Sequence, residues 1–157
     1  MNTIMHHIGI FFALAPRRGD KSNSKIVEWL RLRQEKSGNS INYKFWHKDK
    51  NSVANHCDEL ETKISDIEPL RRLLSALNFI PRIVVDKVRR SWVYNDWEVS
   101  IDSVKNLGTF VELEYKGRMR KPDPDKITQE MREFIANLRL GRVEENQRGY
   151  PYMLLYN

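Results

Sequence analysis

The sequence predicts an antiparallel α+β domain, and three observations carry that reading. Seven stretches read as strands, six by alternating apolar and polar residues with a two-residue period and the first as an apolar run. Short turn-forming stretches separate most of them. Only two segments carry apolar residues at helical spacing, so turns rather than helical crossovers join most of the strands.

The first strand, Met5–Ala15, is rich in Ile and Phe and ends at Pro16. Arg17–Ser24 is a polar loop. In Val27–Gln34, Leu30 and Leu32 oppose Arg31 and Arg33. A turn at Ser37-Gly38-Asn39 leads to Ser40–His47, where Ile41, Tyr43 and Phe45 oppose Asn42 and Lys44; together these two stretches read as a hairpin. After a polar connection, Asp49–Asn55, the stretch His56–Ile64 sets Leu60, Thr62 and Ile64 against Glu59, Glu61 and Lys63.

Ser65-Asp66-Ile67-Glu68 has the spacing of a capping box, and Pro69 is tolerated in a first helical turn. Ile67, Leu70, Leu73, Leu74 and Leu77 then form one stripe, closed by Asn78, which accepts a left-handed backbone. Arg82–Tyr94 is a long strand with Val85, Lys87, Arg89 and Ser91 on one face. Asn95-Asp96 turns it into Trp97–Ser103, and Asn106-Leu107-Gly108 turns that into Phe110–Lys116, where Glu112, Glu114 and Lys116 oppose Val111, Leu113 and Tyr115. Asp123 caps a second helix with Pro124 at its first position. Its stripe of Ile127, Met131, Phe134, Ile135 and Leu138 ends at Gly141. The tail, Tyr150–Tyr156, is apolar enough to dock.

At 157 residues the chain reads as a single domain, 1–157, with 40% hydrophobic and 31% charged residues, a balance that supports a real core. A net charge of +6 points to an anionic partner. Cys57 is alone, which excludes a disulfide framework and suits a reducing cytoplasm. The Ile8–Ala15 run is too short to span a bilayer and lacks the basic start of a signal peptide, so a cytoplasmic protein without a membrane partner is expected. Neither a G-x-x-x-x-G-K-[ST] nor a G-x-G-x-x-G pattern is present, which excludes P-loop and Rossmann chemistry. No nucleophile elbow occurs, and His6, His7, His47 and His56 have no zinc spacing with Cys57.

Taken together, the polar strand faces hold Arg31, Arg33, Lys44, Glu59, Glu61, Lys63, Lys87, Arg89, Asp102, Glu112, Glu114 and Lys116. A one-sided sheet with a solvated outer face would account for such rows. Their mixed sign also suits a metal–polyphosphate, with carboxylates for a hard cation and Arg or Lys for phosphate oxygens. If the apolar rows pack against the two helices, the charged rows turn inward as the sheet closes toward a barrel. Lys44-Phe45-Trp46-His47-Lys48 interleaves cations with aromatics, and a basic nucleic-acid-binding module is the lower-ranked rival.

Four motifs follow one another in a fairly specific order. They are Leu30-Arg31-Leu32-Arg33, then Tyr43-Lys44, then Asp86-Lys87-Val88-Arg89, then Ile101-Asp102 with Gly108-Thr109-Phe110-Val111-Glu112-Leu113-Glu114. This series resembles the CYTH family, the triphosphate-tunnel proteins that include class IV adenylyl cyclases and thiamine triphosphatases. The resemblance implies an antiparallel β-barrel with helices outside, and a metal-dependent reaction on a triphosphate within it. It assigns Arg31, Arg33, Lys44, Lys87, Arg89 and Lys116 to the substrate. Lys87, Arg89 and Asp102 are assigned to catalysis, and Glu61, Asp102, Glu112 and Glu114 to Mg²⁺ or Mn²⁺. With the Arg148-Gly149-Tyr150-Pro151-Tyr152 tail, it favours conversion of ATP to cyclic AMP and pyrophosphate over hydrolysis by a triphosphatase of the same fold.

The family's opening E-x-E-x-K strand and helix have no match before Val27; only Phe11-Phe12 and Pro16-Arg17-Arg18 resemble its second strand. A barrel short of one strand of about eight is therefore expected. That implies weak turnover and an open edge that invites pairing with a second chain as a homodimer.

Overall fold

All the alternating stretches become strands. A computed structural model describes residues 3–14, 28–48, 54–117, 123–139, 141, 143–146 and 149–156. The Arg17–Ser24 loop, the Pro16-Arg17-Arg18 match, residues 49–53 of the polar connection and Arg148 of the tail lie outside the described residues. The strands are β1 (Thr3–Leu14), β2 (Glu28–Glu35), β3 (Gly38–Lys48), β4 (Ala54–Ile64), β5 (Phe79–Tyr94), β6 (Trp97–Val104) and β7 (Gly108–Tyr115). They form one antiparallel sheet in the order β4-β3-β2-β1-β5-β6-β7, curled into a half-barrel.

β1 is the centre of this sheet, not an appendage. It pairs with β2 on one side and β5 on the other, so His7 faces Glu35 and Lys87. The strands β2–β3–β4 and β5–β6–β7 are then two antiparallel meanders flanking β1. The turns use residues that accept a left-handed backbone: Asn95 at φ 51° and Asn106 at φ 67°, and Gly38 at φ 137° after the β2–β3 turn.

Helix α1 (Ile67–Ala76) starts one residue later than a capping box at Ser65 requires. Asp66 has the extended cap conformation and accepts the Glu68 N–H at 3.0 Å, while Glu68 pairs with Arg71. Asn78 takes the expected left-handed stop at φ 65°. The helix lays Leu74, Leu70 and Ile67 on the outer face of β1–β3, against Phe12, Leu32, Ile10, Leu30 and Ile41. Phe12 and Leu32 are fully buried there, each residue removing roughly 1.5–3 kcal/mol of apolar exposure.

Two expectations about the helices are corrected. The α1 stripe is narrower than the sequence suggests, since Leu73 and Leu77 remain more than half exposed. Nor do the helices cover every apolar row: Val84, Val88, Ile101 and Val111, on the outer face of β5–β7, stay exposed. Helix α2 (Pro124–Asn137), capped by Asp123, lies against β4 and sets Phe134 against Tyr94 and Trp97 instead. It ends at Asn137, short of Gly141. The tail docks as expected. It forms α3 (Tyr150–Tyr156), whose Tyr150, Leu154 and Leu155 pack on Phe11, Trp29, Val85 and Val104. Among the described residues no helix is long and apolar enough to cross a membrane.

Candidate functional site

Cross-strand partners project to one side of a sheet, so the register lines assemble the charged rows. Across β4, β3, β2 and β1 one row reads Glu61, Asn42, Arg31, Phe11 and the next Lys63, Ser40, Arg33, Gly9. Further along, Glu35, His7 and Lys87 align, then Arg89 with Asp102, then Ser91, Ser100 and Glu112. Lys44 stands opposite Glu59, and Glu98 opposite Glu114. The sidedness read from the alternation is therefore what the chain adopts. The two ends of the sheet also face each other across one cleft: Arg31 on β2 feels the Glu112 carboxylate on β7, and Lys116 feels Glu59 on β4.

On the β2–β4 wall the arginines are loosely partnered, whereas Lys44 is closely paired. Arg33 reaches Glu61 at 3.5 Å and Glu35 at 3.4 Å, while Lys44 sits 2.9 Å from Glu59. Arg31 differs from both. Its Nη2 stops 3.8 Å from Glu59, and its Nε and Nη2 are buried without a hydrogen-bond partner. Burial, and then the neighbouring Arg33, push this guanidinium down to about 10, against the pull of Glu59, Glu61 and Glu112. Its stem crosses β1 over Gly9, where a Cβ would come within 3.2 Å of Arg31 Cδ and 3.1 Å of the Phe11 ring. The guanidinium lies 5.8 Å from the centroid of that ring.

The β5–β7 wall is tied to itself. Asp102 is fully buried and accepts from Lys87 at 2.7 Å and from Arg89 through two bonds of 2.7 Å. Arg89 also donates to Glu112, and the Tyr150 hydroxyl of α3 donates to Asp102 at 3.0 Å. Burial alone would raise the Asp102 carboxyl; the Arg89 and Lys87 bonds overcome this and hold it well below the usual carboxylate range. Lys87 is lowered by burial and next to Arg89, opposed by Glu112 and Asp102. The Tyr150 hydroxyl is raised by burial and by the carboxylates of Glu112 and Asp102.

The four carboxylates assigned to a metal are not gathered. Asp102 and Glu112 share Arg89; Glu114 is held by Lys116 at 2.7 Å; Glu61 stands on the other wall with Arg33 and Asn42. Among the described residues no three His, Cys, Asp or Glu side chains meet as a ligand group.

Sequence reasoning gave no site role to His7, Glu35, Gly9 or Asn42, and read Tyr150 only as part of the docking tail and its motif. The signal for His7 was a histidine inside an apolar strand, but its partner depends on the register. Nδ1 lies 2.6 Å from Glu35, and Nε2 is buried without a partner. A carboxylate can only accept, so Nδ1 carries the proton. Burial is the main influence on His7 and lowers it; the Glu35 bond opposes, and Lys87 and Arg33 add to the lowering. Because the native state then binds fewer protons than the unfolded chain, stability falls as pH drops below the ordinary value of 6.5. Glu35 adds a further loss only below its own ordinary value of 4.5. Urea denaturation at pH 7.5 and pH 5.5 is expected to show this loss in the wild type and a smaller one in His7→Gln; equal pH slopes would contradict it.

This geometry can be set beside known proteins. A family model described as CYTH domain matches residues 16–150. A Methanocaldococcus jannaschii protein named "Putative adenylate cyclase" is 32% identical over 131 residues, which cover 83% of this chain and 73% of that protein. A solved structure from Pyrococcus horikoshii is 26% identical, with a TM-score of 0.74 over 99% of this chain and 85% of that one. One from Vibrio parahaemolyticus, titled a "putative adenylate cyclase", is 13% identical and shares the fold at a TM-score of 0.67, over 98% of this chain and 84% of that one. With the two-walled ionic cleft in place on a curled antiparallel sheet, the extent of these matches leads to one conclusion: the chain belongs to the CYTH domain family.

Proposed function

We propose that this cleft binds a triphosphate for phosphoryl or nucleotidyl chemistry, with the conversion of ATP to cyclic AMP and pyrophosphate as the reaction it fits first. The observation that carries the reading is Arg31, a buried guanidinium with two donor nitrogens left unpaired inside a cleft it shares with Arg33 and Lys44. A buried cation whose donors lack acceptors is costly, and phosphate oxygens supply them. The adenylate cyclase name of the Methanocaldococcus jannaschii relative supports the choice of reaction.

In this reading Arg31, Arg33 and Lys44 hold the polyphosphate on one wall, while Lys87, Arg89 and Lys116 approach it from the other. Lys87 and Arg89 are fixed by Asp102, so they present positive charge without reorganising, which suits stabilisation of charge that develops in the transition state. In a cyclase the ribose 3′-hydroxyl attacks the α-phosphorus and pyrophosphate leaves; in a triphosphatase water attacks the terminal phosphorus. Mg²⁺ or Mn²⁺ enters this reading with the triphosphate. The carboxylates Glu61, Asp102, Glu112 and Glu114 already serve cations or Asn42, and do not fit a metal as a preformed ligand set. No step is therefore routed through one.

Calorimetric titration with tripolyphosphate and with ATP, each with and without Mg²⁺, tests the proposal. Saturable binding at micromolar concentration is expected, and single-stranded RNA at physiological salt should not compete. The contrary result is absence of saturable triphosphate binding beside RNA binding that fades steeply with salt; it would assign the positive charge to nucleic acid instead. Product analysis with ATP separates cyclic AMP plus pyrophosphate from ADP plus phosphate.

A further inference from the structure

The two meanders carry related arrangements at matching register, differing at two of four positions. On β5–β6, Arg89 stands opposite Asp102 and Ser91 opposite Ser100. On β2–β3, Arg31 stands opposite Asn42 and Arg33 opposite Ser40. Where one pair is arginine and carboxylate, the other is arginine and amide. The outcomes differ accordingly: Arg89 makes two 2.7 Å bonds to Asp102, whereas Arg31 keeps two buried nitrogens unbonded.

Asn42 is itself fully buried and spends its amide on the acidic groups of the wall. Its Nδ2 donates to Glu59 and, at 3.1 Å, to Glu61, and its Oδ1 has no partner. Facing two carboxylates, only the NH₂ end of an amide can be accommodated there. Asn42 therefore holds Glu59 and Glu61 on β4, where neither comes within hydrogen-bond reach of Arg31. The wall keeps Arg31, Arg33, Lys44 and Lys63 against Glu35, Glu59 and Glu61, an excess of one positive charge. A carboxylate at position 42 would cancel that excess.

We infer that Asn42 is the positioning residue that keeps the β2–β4 wall receptive to an anion, by leaving the Arg31 guanidinium without a hydrogen-bonded internal carboxylate; Glu59 stops 3.8 Å away. The β5–β7 wall, with Asp102 at the matching place, is the self-neutralised half. The cleft is thus asymmetric by design of one side-chain amide: the polyphosphate is captured on the Arg31 wall and meets the pre-paired Arg89 wall second. The inference rests on the triphosphate reading of the cleft, and its test separates the two.

The substitution Asn42→Asp changes charge with almost no change in shape. In the full chain it is expected to weaken tripolyphosphate binding by roughly tenfold or more at low ionic strength, the scale of losing one charge-assisted contact. ¹⁵N NMR of the arginine Nε–H groups, assigned with Arg31→Lys and Arg89→Lys, supplies a readout that a merely structural role would not move. In the wild type Arg89 should resonate where a carboxylate-bonded guanidinium does and Arg31 where an unbonded one does. In Asn42→Asp, without ligand, the Arg31 signal should move to the bonded position. If the Arg31 signal stays put and tripolyphosphate binds as to wild type, the inference is wrong. Should the wild type bind no tripolyphosphate, the triphosphate reading fails, while the ligand-free shift of Arg31 still decides the role of Asn42. Should the variant not fold, the wild-type spectrum decides, since a carboxylate-bonded Arg31 there would overturn the inference.

Discussion

Replacing Arg31 by alanine is expected to weaken tripolyphosphate binding by roughly 10- to 150-fold and to leave the stability of the fold within about 1 kcal/mol of wild type. The first figure is the worth of about 1.5–3 kcal/mol of hydrogen bonding to a charged group. The second follows from what Arg31 does without a ligand. Its Nε and Nη2 are buried and unbonded, so the folded chain carries desolvation that no hydrogen bond repays and the more distant carboxylates only partly offset. Removing the guanidinium relieves that cost and offsets the packing lost on Phe11 and Gly9. Calorimetry and urea denaturation on the same variant separate the two effects. Undiminished tripolyphosphate binding would remove Arg31 from the proposed site. A large loss of stability would show that its stem, rather than its charge, is what the fold needs.

Asp102→Ala should do the reverse at the level of folding, destabilising the chain by about 3–5 kcal/mol. Its carboxylate is fully buried and is the common acceptor of Lys87, Arg89 and the Tyr150 hydroxyl. Without it two half-sequestered cations face each other with only Glu112 between them, and α3 loses the bond that anchors its first residue. Because the Asp102 carboxyl is held well below the usual carboxylate range, its contribution is fully present above pH about 4 and fades only as pH falls through that depressed value. The wild-type advantage over Asp102→Ala in urea midpoints should therefore persist to mildly acidic pH. A variant as stable as wild type would mean that Lys87 and Arg89 escape to solvent and the cluster is not a buried unit.

Most of the sheet was legible because strand alternation is a local property. Glu112, Glu114 and the apolar Val111 and Leu113 state their sides without any knowledge of the neighbours. The same holds for Arg31 and Arg33 beside Leu30 and Leu32. Partners were not legible, because they depend on register between strands far apart in sequence. Nothing local says that Asn42 meets Arg31 while Asp102 meets Arg89, or that His7 finds Glu35. The central position of β1 was hidden for another reason. Its inward row, His7, Gly9 and Phe11, carries no ionic pattern, although Gly9 is what lets Arg31 cross it. Helix coverage was half legible: the stripe of α1 identified Leu74 and Leu70 as core, but a one-dimensional stripe cannot say that Val84, Val88, Ile101 and Val111 stay exposed on the outer face of β5–β7.

The place of β1 has a consequence for how the chain reaches its native state. Its partner β2 follows it closely in sequence, but its other partner, β5, lies beyond two more strands and a helix. Either meander can zip through nearest-neighbour hairpins, whereas the seam joining them requires closure of a long loop, the slow kind of step. Assembly should thus proceed in two stages, with each half-cleft acquiring its shape before the halves are brought into opposition.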